Sequence, residues 1–231
     1  LVPFARFGGE IVADSGAVRA FIRSTHEEYR RRFPWAAGTV MPASMDDETS
    51  LCWPAWTPGL LEDFRAVKGY DLRPLLPALW RDAGRITPKV RADYYGYIAD
   101  RFARTFFGTI NAWAKANGMK THAQPLLEES LAWHVRFYGD YFRVLREVDI
   151  PGADVIVMPG QRCHASVVKG AASVAHLAGR NEVMVENFAG FGWGLTLEEQ
   201  RWQANWLYSL GTTSLNPHAF SISRHRVMTS A

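Results

Sequence analysis

The sequence predicts an α/β fold, a run of βα units around a parallel sheet that forms part of a (β/α)8 TIM-type barrel. Short β-branched apolar runs alternate with longer segments of helical period. Several runs end in carboxylates, amides or imidazoles, the pattern of strands whose carboxyl ends face an active site. At 231 residues and 48% apolar content, the chain can also bury one sizeable core. Residues 1–231 are therefore expected to form one barrel domain or a fragment of one.

Along the chain, Glu10 to Asp14 reads as a weak strand. Asp14 or Ser15 can then cap a helix with Val18, Phe21, Ile22 and Tyr29 at helical spacing. Gly38 to Ala43 is the first clear strand, running into the polar cluster Ser44 to Ser50 and a loop with Trp53 and Trp56. Thr57-Pro58 opens a short helix through Phe64, Gly69-Tyr70-Asp71 breaks it, and Leu72 to Trp80 forms another. From Lys89 to Asn117 a single buried stripe (Tyr94, Ile98, Phe102, Phe106, Ile110, Trp113) describes a long helix ended by Gly118.

Met119 to Ala123 is the second strand, leading to Gln124 and the pair Glu128-Glu129, which read as first-turn charges of a helix carrying Tyr141, Leu145 and Val148. Asp154 to Met158 is the third strand, and Ala165 to Ala178 a small-residue helix ended by Gly179. Val183 to Phe188 is the fourth strand. A glycine-rich loop follows, then a helix opened by a Thr196/Glu199 capping box, and Thr212 to Asn216 is the last strand. Five or six strands do not close an eight-stranded barrel by themselves.

Composition narrows the function. The net charge is +3, no nucleic-acid motif accompanies the basic residues, and Arg30-Arg31-Arg32 falls at a helix end where cations suit the dipole. No nucleic-acid partner is expected. No apolar run is long enough to span a membrane, and no signal segment opens the chain. The compartment stays open, because Leu1-Val2-Pro3-Phe4 lacks an initiator Met and reads as the interior of a longer precursor, in which an export signal could lie upstream. Cys52 and Cys163 have neither metal-ligand nor disulfide-framework spacing. P-loop, dinucleotide and serine-elbow motifs are missing.

The site is expected on the rim where strand ends converge: Asp46, Asp47 and Glu48, then His122 and Gln124, then Glu186 and Asn187, then Asn216 and His218. With Trp53 as an aromatic platform, that set suits a neutral, polyhydroxylated ligand. A carboxylate at the end of a buried strand is costly unless used, which makes Glu186 the first catalytic candidate. Glu48 is its partner, with Asp47 as the substitute, because two carboxyls can divide the protonation and water-activation steps of glycosidic cleavage. His176, on an apolar helix, reads as a core or interface residue.

Met45-Asp46-Asp47-Glu48, the segment Phe64 to Pro77, Arg91 to Tyr95, Ala172 to Arg180, Val185-Glu186-Asn187-Phe188 and Leu215 to Phe220, in that order, resemble the barrel domain of α-L-rhamnosidase-like glycoside hydrolases. The resemblance implies a (β/α)8 barrel within a larger multidomain protein, inversion at the anomeric carbon, a general acid at Glu48, a general base at Glu186 and a calcium ion near the substrate. It further implies that strands three to eight are present. The acidic strand end departs from the family's Phe-Thr-Asp-Glu-Pro-like run, which leaves Asp47 and Glu48 both open as the acid, and no calcium ligands are assigned.

For inversion the two carboxyls should lie roughly 6.5–9.5 Å apart. The alternative to a hydrolase is a non-catalytic carbohydrate-binding or degenerate barrel domain. A third reading, a metal-dependent hydrolase, needs His122, His218 and an acid to converge. A truncated barrel exposes sheet edges, which predicts association with the missing segments, other domains or another chain.

Overall fold

The computed structural model describes residues 13–51, 55–156, 165–191 and 194–218. Within them, five strands form one parallel sheet in chain order: β1 (Ala43–Asp47), β2 (Lys120–Gln124), β3 (Ile150–Val155), β4 (Met184–Asn187) and β5 (Ser214–Pro217). The helices are α1 (Ser15–Ser24), α2 (His26–Arg32), α3 (Leu60–Lys68), α4 (Thr87–Phe102), α5 (Thr109–Ala116), α6 (Leu131–Phe137), α7 (Tyr141–Glu147), α8 (Ala165–Leu177) and α9 (Leu197–Leu210). The sheet curls into a half-barrel. Asn216 on β5 touches Met45 on β1 at 3.4 Å, whereas four strand spacings in a flat sheet would separate them by about 19 Å.

Helices cover the outer face. Val90, Tyr94, Ile98 and Phe102 of α4 share one core with Tyr141, Val144 and Leu145 of α7 and with Ala171, Ala172 and Ala175 of α8. A smaller cluster of Val155, Val168, Val185 and Leu207 joins β3 and β4 to α8 and α9. Asn111 on α5 donates to Thr121 Oγ1 at 2.6 Å and to Asp149 Oδ2 at 2.8 Å, tying α5 to the starts of β2 and β3.

Several helix boundaries follow their signals, but α3 starts at Leu60 after a left-handed Gly59, not at the expected Thr57-Pro58 cap, and runs on to Lys68. Asp14 accepts from the Ala17 N–H at 2.8 Å as the N-cap of α1, and the Thr196/Glu199 capping box forms on α9. Gly118, Gly179 and Gly211 take positive φ where helices end. The expected first helix is divided at Thr25, leaving Tyr29 57% exposed. The long helix is α4 and α5 joined by a π turn at Ala103–Gly108, and Arg73–Leu79 is a 3-10 helix, shaped by Pro74 and Pro77. Most of the weak Glu10–Asp14 strand lies outside the described residues.

Two strands depart from expectation. The strand expected at Gly38 to Ala43 is instead β1 at Ala43–Asp47, so the supposed polar loop is itself the strand. Its polar side chains find partners on both faces: Asp47 accepts from Gln124 on the inner face, while Ser44 meets His26 and Asp46 accepts from Thr49 on the outer one. β3 begins at Ile150 and runs through Pro151-Gly152, ahead of the start expected at Asp154. A Cβ on Gly152 would lie 2.0 Å from His122 Cε1, so the bare backbone makes room for that ring.

Candidate active site

Alternation along each strand divides its side chains between two faces. The register sets Met45 beside His122, Asp47 beside Gln124, Asp154 beside Glu186, and Glu186 beside Asn216. These are the inner-face residues. Ser44 and Asp46 point the other way, where Ser44 Oγ meets His26 Nε2 at 3.1 Å.

Glu186 is 6% exposed. Gln124, 1% exposed on β2, donates one amide to Glu186 Oε2 and to Asp47 Oδ1, the latter at 3.0 Å. One neutral side chain thus holds two carboxylates from strands on either side of it. On the solvent side, His218 Nε2 stands 3.8 Å from Glu186 Oε1.

Glu48 follows β1 with φ 54°, an unusual backbone setting for a residue with a Cβ. Its N–H bonds to the Gln124 carbonyl at 3.1 Å, pinning the turn to the end of β2. Asp46 supports the same turn by accepting from Thr49, and burial raises its carboxyl to about 6. The Glu48 carboxyl is itself pushed up, by partial burial first and then by Asp47, Glu186 and Glu129.

His122 lies beneath this layer, 1% exposed, with Nδ1 against the Ile150 carbonyl at 2.9 Å; burial lowers its pKa and keeps the imidazole neutral. Asn187 is fully buried on the face opposite Glu186, and its carbonyl accepts from His218 N–H at 2.8 Å. Asn187 therefore supports the rim from behind. Trp53 lies outside the described residues. Glu48, Asp47, Glu186, Asn216 and His218 share one end or face of the sheet with Gln124.

Two acids were missed. Asp154 sits beside Glu186, and burial followed by Glu186, Glu48, Asp47 and Glu129 raises its carboxyl to about 8. A carboxylate inside the apolar run Ala153 to Val157 is the same signal that singled out Glu186, but Asp154 had been placed at a strand start. Glu128 is not a first-turn charge. It is 7% exposed in the loop before α6, accepts the Asp154 N–H at 2.9 Å, and has its carboxyl held well above the usual range by burial. The left-handed Leu127, φ 58°, turns it inward, and nothing in the local sequence announces that turn.

Among the described residues, no three His, Cys, Asp or Glu side chains are grouped to hold a metal ion. The convergence of His122, His218 and an acid required by a metal-dependent hydrolase is thus not found there.

The alpha-L-rhamnosidase family of glycoside hydrolases, family 106, matches residues 11–206. The chain belongs to this family. A solved rhamnosidase from Novosphingobium sp. PP1Y superposes on 90% of the chain and 20% of its own, with TM-score 0.75 and 25% identity. A Formosa agariphila protein provisionally named as a beta-glucuronidase is 27% identical over 158 residues, 67% of this chain and 13% of its own length. This family member therefore spans a fifth or less of these two relatives. Its curled half-barrel is similar to that rhamnosidase, and no helix among its described residues is long and apolar enough to cross a membrane.

Proposed function

We propose that this chain supplies the catalytic strand ends of an inverting glycoside hydrolase acting on α-L-rhamnosides, with Glu186 as general base and Glu48 as general acid. One observation carries the reading: the two glutamates come to the same end of the curled sheet, where Glu186 is among the charges that raise the Glu48 carboxyl. A raised carboxyl keeps its proton for a leaving glycosidic oxygen. Glu186, oriented by Gln124, would take a proton from water as that water's oxygen bonds to the anomeric carbon and the glycosidic C–O bond breaks. Asn216 and His218 line the approach and would bond sugar hydroxyls. Asp47, Gln124 and His122 would hold this arrangement together.

The sugar is proposed from the family description and from the rhamnosidase neighbour. β1 to β5 would correspond to the fourth to eighth strands of a (β/α)8 barrel. Calcium, proposed from the family resemblance alone, enters no step. Titration calorimetry with calcium, beside an assay in chelator, tests it.

Hydrolysis of aryl glycosides, including α-L-rhamnoside, by the protein and its Glu186→Gln variant tests the function. Turnover by the protein and loss in the variant are expected; equal turnover in both would overturn the assignment of Glu186. Binding of the sugar without turnover would favour a non-catalytic carbohydrate-binding domain.

A further inference from the structure

β3 and β4 pair in parallel with Asp154 opposite Glu186. Both side chains therefore leave the same face, about 4.8 Å apart at the backbone. Charged groups around them are mostly acidic: Asp47 and Glu48 at the end of β1, and Glu128 and Glu129 in the loop after β2. His218, after β5, faces Glu186 at 3.8 Å, and β2 contributes the neutral Gln124 with the buried His122, its pKa lowered by burial, one layer below.

The two carboxyls are not equivalent. Glu186 accepts from Gln124, whereas Asp154 Oδ1 is buried with no hydrogen-bond partner. The Asp154 backbone is fixed from behind by Glu128. A carboxylate matched to a donor can remain an anion, but a buried oxygen without one is better carried as a neutral acid.

We infer that Asp154 is a positioning residue that holds one proton for the Asp154–Glu186 pair, so that the pair carries a single negative charge and Glu186 is the member left as the base. This deepens the proposed function and rests on it. Burial and the adjacent carboxylates, which raise Asp154 to about 8, agree with a neutral acid at pH 7. During turnover, Glu186 gains the proton from the attacking water and Asp154 keeps its own. Glu48 gives its proton to the leaving oxygen, and exchange with solvent restores both glutamates.

The test is a 13C NMR titration of carboxyl-labelled aspartate in the protein, Asp154→Asn and Glu186→Gln, with and without calcium. The aspartate signal with the highest midpoint, above that of Asp46, should vanish in Asp154→Asn and move down in Glu186→Gln. If Asp154→Asn removes only a signal that titrates in the ordinary range, with or without calcium, the inference is overturned. This readout needs no turnover, so failure of the rhamnosidase reading remains separate.

In the assay, Asp154→Asn, a neutral isostere of the protonated acid, should keep a higher kcat than Asp154→Ala, which leaves a gap beside Glu186. The Asn variant should also keep its activity to higher pH than the wild-type protein. An Asn variant as impaired as Ala, with folding verified by circular dichroism, would overturn the positioning role.

Discussion

Asn216 donates its side-chain amide to the sulfur of Met45 at 3.4 Å, joining the first and last described strands across 171 positions of sequence. That contact measures the curl of the sheet, and the curl lets Gln124 reach carboxylates on both sides of its own strand. Polar residues that are distant in the chain thereby act on one another within one lumen.

Glu186→Gln and Glu48→Gln should each lower kcat about 10²- to 10⁴-fold, the usual worth of a general acid or base. Proton NMR of the first-formed product on an α-L-rhamnoside should show the β-anomer. An initial α-anomer would replace inversion with a retaining mechanism.

Gln124→Ala removes the donor shared by Asp47 and Glu186. Turnover is expected to drop about 10- to 100-fold, as for loss of a hydrogen bond to a charged group. Steady-state kinetics on the folded variant would show whether the loss falls on kcat, as an effect on the base requires, or on KM alone.

Asp154 and Glu128 have folded-state pKa values above those of the unfolded chain, so the native state binds their protons more tightly. Their stabilising contribution is complete below the unfolded carboxyl pKa and declines as pH rises toward the folded values. His26 and His122 are lowered by burial, so their effect is confined to pH below about 6.5, where the unfolded imidazoles take up protons. Between pH 6.5 and 8 the carboxyls therefore set the trend, and the Tm should decrease with rising pH. Thermal melts of Glu128→Gln should show a shallower decline.

Gly152→Ala would place a Cβ 2.0 Å from His122 Cε1 and 2.7 Å from the Met184 carbonyl. Overpacking of this kind costs about 1–3 kcal/mol. Denaturant unfolding should register it as a lower midpoint. An unchanged midpoint would mean that the His122 ring has another place to go.

Helix caps and stops were legible in the sequence because their physics is local. Asp14, the Thr196/Glu199 pair, Gly118, Gly179 and Gly211 each act on backbone groups a few positions away. The apolar stripe of α4 and the run ending at Glu186 were legible as well, since burial on one face imposes periodicity. β1 was misplaced because its polar side chains are satisfied by partners far along the chain, Ser44 by His26 and Asp47 by Gln124, which apolar content does not register.

By itself, then, the sequence determined the alternation of strands and helices, their order, and the nomination of Glu48 and Glu186. Only the tertiary structure decided which side chains share the lumen. It moved Asn187 behind the rim, recruited Gln124 as the clamp between two carboxylates, and turned Glu128 inward beneath Asp154. Those outcomes depend on sheet curl and on pairing register between segments dozens of residues apart, and neither leaves a periodic trace in the chain.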